Sequence, residues 1–95
     1  MTTPAHNRPT SLDQSHREAW VLHAALTSAL DRALEAGETP HYLRSLVLRV
    51  EAGETAFNPA ALSFVADALA TYLETAPDRD EAIAARLLDR ARTEL

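Results

Sequence analysis

Four histidines and fourteen acidic residues are the groups in this 95-residue chain that could hold a metal or move protons. His16 and His23 fall on one face of a helix but stand seven residues apart, about 10 Å along its axis. Direct ligands to one ion on a helix need a spacing of three or four, and no HExxH-type pattern occurs. His23 lies among Trp20, Leu26 and Leu30, which reads as a core-edge histidine with one satisfied hydrogen bond. His6 falls in the N-terminal tail, and His41 is expected at the surface. Asp78, Asp80 and Glu81 could form an acid–base or cation site. Three acids in the first turn of a helix are also what its dipole and a capping box call for, and that reading is preferred. Glu35, Glu38, Glu51 and Glu54 are read as surface residues around helix ends.

Other chemistries lack their residues. The chain contains no cysteine and no lysine, which removes thiolate, disulfide, zinc-cluster and Schiff-base chemistry. No serine sits in a nucleophile elbow, and the only two glycines, Gly37 and Gly53, are isolated, so no phosphate-binding loop exists. No catalytic residue, cofactor, metal or small-molecule ligand is therefore assigned, and no enzymatic activity is expected. All nine basic residues are arginine and the formal net charge is −5. The segment 59–76, which would be the recognition helix of a helix-turn-helix, has no Arg, His, Asn or Gln and carries Asp67 and Glu74. Direct base readout is not expected from such a helix. Contact with nucleic acid, as a transcription-associated regulator, would require a dimer or a partner.

The elements behind these residues are helical. Residues 1–10 read as a disordered tail and residues 11–95 as one domain. A pentapeptide occurs twice, Glu35-Ala36-Gly37-Glu38-Thr39 and Glu51-Ala52-Gly53-Glu54-Thr55, each time after an apolar helix-period run. Each copy supplies a glycine suited to the left-handed conformation that closes a helix. Helix-period spacing predicts helices over 12–36, 40–51, 59–76 and from about 79 to the end. Expected caps are Ser11 with Gln14, Thr39 before Pro40, Asn58 before Pro59, and Asp78 with Glu81. Phe57 and Leu62 match a hydrophobic staple at the start of the third helix. The fold class is all-α, a compact bundle of four helices with short connections, the first helix longest.

Expected core stripes include Leu22, Leu26, Leu30 and Leu34 in the first helix, and Leu43, Leu46, Val47 and Val50 in the second. The third contributes Leu62, Val65, Ala66, Leu69 and Leu73, and the fourth Ile83, Ala84, Leu87, Leu88, Ala91 and Leu95. Trp20 falls at the edge of the first stripe. Phe64, Ala68 and Tyr72 extend the apolar sector of the third helix beyond its stripe, and Leu48 is out of phase on the second. Such leftover residues are either covered by a neighbouring helix or form an interface. Leu48, Phe64, Ala68 and Tyr72 are thus the candidate interface of a homodimer or of a complex with a protein partner. No apolar run approaches a membrane span and the N-terminus has no signal-peptide pattern, so a cytoplasmic location is the default.

The stretch Leu46-x-x-Arg49-Val50-Glu51-Ala52-Gly53-Glu54-Thr55-x-Phe57, followed by Ala61-Leu62, Ala68-Leu69-x-x-Tyr72-Leu73 and Ala76-Pro77-x-Arg79-Asp80, resembles a haloarchaeal family of short acidic helical proteins of unknown function. The missing lysine fits that origin. The resemblance covers about half the chain and implies a cytoplasmic helical domain without assigning any catalytic residue.

Overall fold

A computed structural model of the chain describes residues 16–54 and 56–95. It contains four α-helices: α1 His16–Glu35, α2 His41–Glu51, α3 Pro59–Tyr72 and α4 Asp78–Thr93. The class, the number of helices and the place of α1 as the longest, at 20 residues, agree with the sequence reading. The tail over 1–10 and the Ser11–Gln14 capping box lie outside the described residues. No helix among the described residues is long and apolar enough to cross a membrane.

Both pentapeptides close their helices in the same way. Gly37 and Gly53 take φ of 82° and 88°, the left-handed region open to glycine. After α1 the Glu38 amide donates to the Ala33 carbonyl and the Gly37 amide to that of Leu34, both at 3.0 Å. After α2 the same pair recurs, Glu54 to Arg49 and Gly53 to Val50, again at 3.0 Å. These are the two bonds of a Schellman cap, which satisfy carbonyls that a bare helix end would leave open. Only the second copy adds a side-chain clamp. Arg49 Nε donates to Glu54 Oε1 at 3.0 Å, and its guanidinium lies 5.7 Å from the centre of the Phe57 ring. The repeat is therefore punctuation with one local elaboration.

Helix starts divide by where the prolines fall. Asn58 caps α3 as expected: its side-chain oxygen accepts from the Ala61 amide at 2.8 Å, with Pro59 in the first turn. Replacing Asn58 with alanine should cost about 1 kcal/mol of stability, read from the urea midpoint; no change would contradict this cap. Phe57 and Leu62 are both buried in the core, in keeping with the staple. Thr39 does not cap α2. The helix begins one residue later, Pro40 takes the cap position, and no side chain bonds there. A cap side chain reaches the second and third helical amides, and Thr39 now stands one residue too far back. Asp78 misses the cap in the opposite sense: α4 begins one residue earlier than expected, Asp78 is its first helical residue, and Pro77 holds the cap without an acceptor side chain. Asp78, Asp80 and Glu81 all fall in the first turn, where the helix dipole favours them. At the far end of α3 the chain leaves the α-helix at Tyr72 rather than Ala76. The Glu74 and Thr75 amides bond three residues back, as the backbone tightens ahead of Pro77.

The helix α1 is the hub: it packs against α2, α3 and α4, while α3 also packs against α4. Leu22, Leu26, Leu46, Leu69, Leu87, Val21 and Val65 are the largest fully buried side chains. The centre of the buried face of α1 lies about 90° from that of the Leu22, Leu26, Leu30 and Leu34 stripe expected from sequence. Val21 and Ala25 are buried, and Leu34 is 45% exposed. A helix met by three neighbours has a wider buried arc than its leucines alone mark. Leu95 lies beyond the end of α4 and is exposed, not part of the core.

Candidate interaction surface

The residues proposed from sequence as an interface do not form one exposed stripe. Leu48 is 59% exposed and Phe64 is 42% exposed, but Ala68 is only 3% exposed. Ala68 is removed from the candidate surface because α3 is buried over a wide arc between α1 and α4. Phe64 lies just outside that arc. Its ring meets Tyr42 of α2, centroids 4.9 Å apart and planes at 54°, a tilted aromatic contact. Tyr42, assigned no role from sequence, thus covers part of the spare aromatic and ties α2 to α3.

Tyr72 is half-buried and turned inward. Its hydroxyl donates to Asp80 Oδ2 at 2.9 Å, and Asp80 is the one buried charged residue among the described residues. The bond links the end of α3 to the first turn of α4. Burial raises the Tyr72 phenol above its ordinary value of 10.0, and the hydrogen bond and charge of Asp80 add to this, while Arg79 opposes it. A raised folded-state value favours the neutral phenol, so this contribution is complete below the unfolded-state value. It is lost as pH rises through the raised folded-state value. Thermal melts from neutral to strongly alkaline pH should show a loss in the wild type that is smaller in Tyr72→Phe. Parallel loss in both proteins would contradict it. At neutral pH the same substitution should cost about 1 kcal/mol, by leaving the Asp80 carboxylate short of a donor.

Among the described residues the most exposed aromatic is Trp20, at 68% exposure on the side of α1 facing away from the core. Its ring centre is 6.3 Å from that of His23, with the planes tilted by 33°. His23 Nε2 meets Glu51 Oε2 at 2.8 Å, joining α1 to α2. The one-partner histidine expected from sequence is found here, with an acidic partner that spacing alone could not name. Both side chains retain solvent contact, so the pair is worth about 0–1 kcal/mol.

Two clefts flank this aromatic. The first, of about 320 Å³, runs between α1 and α2 and is lined by His16, Ala19, Trp20, His23, Val50 and Glu51. The second, of about 400 Å³, lies between α1 and the start of α4, lined by His16, Arg17, Trp20, Val21, Arg79 and Asp80. Because His16 and Trp20 line both, they form the ridge between them. Among the described residues no group of three or more His, Asp or Glu side chains gathers as a metal site. Glu18, on the α4 side of α1, meets Arg86 Nη2 at 3.2 Å and Arg90 Nη1 at 3.8 Å, and so braces α1 against α4.

The family DUF7853, a family of unknown function, matches residues 12–92. The chain belongs to this family. The matched span takes in α1, α2, α3 and all but the last residue of α4 of this DUF7853 domain, and with them Trp20, both clefts and the Tyr72–Asp80 bond. No curated protein and no solved structure matches the chain. Trp20 is the residue whose place was least legible from sequence. Had the stripe of α1 been centred on Val21, Leu22 and Ala25, the indole would have fallen opposite the core.

Proposed function

We propose that this DUF7853 chain is a non-enzymatic helical interaction module that self-associates through the Trp20 face of α1. The observation that carries the reading is Trp20 itself, a large aromatic 68% exposed on a helix whose other side is fully packed. Tryptophan left in water beside apolar clefts is the residue type that most often anchors protein interfaces. Ala19 and Val50 give the first cleft an apolar floor, while His16, His23 and Glu51 supply a polar rim. Shallow apolar ground with a polar rim suits a protein surface rather than an enclosed ligand. The lysine-free, acidic composition supports a haloarchaeal and cytoplasmic setting.

Size-exclusion chromatography with light scattering tests the reading, across a range of potassium chloride concentrations with folding checked by circular dichroism. The wild type should run as a dimer, Trp20→Ala as a monomer, and Phe64→Ala as a dimer. A folded wild type that is monomeric throughout would overturn self-association. Loss of the dimer in Phe64→Ala but not in Trp20→Ala would return the interface to α3.

A further inference from the structure

The two clefts beside Trp20 differ in charge. The α1–α2 cleft carries one carboxylate, Glu51, paired with His23. The cleft between α1 and α4 carries two guanidinium groups, Arg17 and Arg79, against one carboxylate, Asp80. Asp80 is buried and accepts from the Tyr72 hydroxyl, and the exposed Arg79 keeps its Nε 4.0 Å from the other carboxylate oxygen of Asp80, which leaves the cleft one cation in excess. The ridge therefore has an acidic side and a basic side.

In a two-fold dimer, features on opposite sides of the axis face each other across the interface. An axis through the His16–Trp20 ridge would bring the acidic cleft of one copy onto the basic cleft of the other, twice. It would also set each indole beside a cleft of the partner. We propose that the occupant of this face is a second copy of the chain in that arrangement. Glu51 of each copy meets Arg17 and Arg79 of the partner subunit, flanking two central Trp20 rings. The inference rests on the self-association proposed above and adds to it a symmetry and a charge register. A single-sign patch would repel its own copy; this one is complementary to itself.

Charge reversal tests the register. Glu51→Arg adds a cation at the last turn of α2, and Arg17→Glu with Arg79→Glu adds anions at the first turns of α1 and α4. All three changes suit the helix dipoles, so each variant is expected to fold, as circular dichroism would check. Glu51→Arg alone should dimerise at least about tenfold more weakly than wild type in sedimentation velocity, and the arginine double variant likewise. Mixed in equal amounts, with one of them fluorescently labelled, the two should regain a heterodimer. If the wild type dimerises and Glu51→Arg dimerises equally well, the charge register is wrong and self-association stands. If both variants lose the dimer and the mixture does not restore it, the two-fold arrangement is wrong. A monomeric wild type would instead remove the self-association on which the register rests.

Discussion

Truncating Leu26 to alanine is expected to lower the unfolding free energy by about 2–5 kcal/mol, the range for a large aliphatic side chain removed from a packed core. Leu26 is fully buried on α1, the helix that touches all three others, so the void can be filled only by moving several elements together. A domain of this length is typically stable by roughly 5–14 kcal/mol, so the loss would be a large share of the total. The informative comparison is Leu34→Ala on the same helix. By spacing Leu34 belongs to the same stripe, yet it is 45% exposed, and its truncation should stay within about 0.5 kcal/mol. Urea unfolding of the two variants, with unchanged slopes, reads the difference directly. Equal losses at both positions would mean that the buried face of α1 is the one its leucines mark.

The second large effect concerns association rather than folding. Trp20→Ala should weaken the proposed dimer by at least about 2 kcal/mol, roughly 30-fold, the effect expected of truncating a central tryptophan anchor. The unfolding free energy of the monomer should hardly change. The indole contributes little to the core at 68% exposure, and alanine has the higher helix propensity. A structural role for Trp20 would move both quantities together. An interface role moves only the first.

The features legible in the sequence are those that depend on neighbouring residues. Gly37 and Gly53 close helices because a positive φ is a local demand, and Asn58 caps α3 because Pro59 immediately follows it. Thr39 and Asp78 mislead for an equally local reason: the adjacent prolines take the cap position themselves, leaving Thr39 one residue before the cap of α2 and Asp78 one residue inside α4. What remained hidden depends on contacts across the bundle. Ala68 looked spare only while α3 was considered alone, since packing against both α1 and α4 widens its buried arc. Tyr72 finds Asp80, and His23 finds Glu51, across turns whose geometry no spacing rule specifies. Spacing puts Trp20 at the edge of a stripe because leucines define a stripe more strongly than Val21 and Ala25 do. The family resemblance held in its coarse form, as membership in DUF7853, and the family carries no activity that could have marked Trp20.

Trp20 is the only tryptophan in the chain, which makes its fluorescence a direct report on the proposed interface. The measurement is the emission spectrum of the folded wild type over a wide dilution series, followed in parallel by sedimentation. Burial between two copies predicts blue-shifted emission at high concentration that moves to the red as the dimer dissociates, with one midpoint for both signals. Emission that stays at the solvent-exposed position while the protein is dimeric, or a protein that remains monomeric at every concentration, would contradict an interface at Trp20.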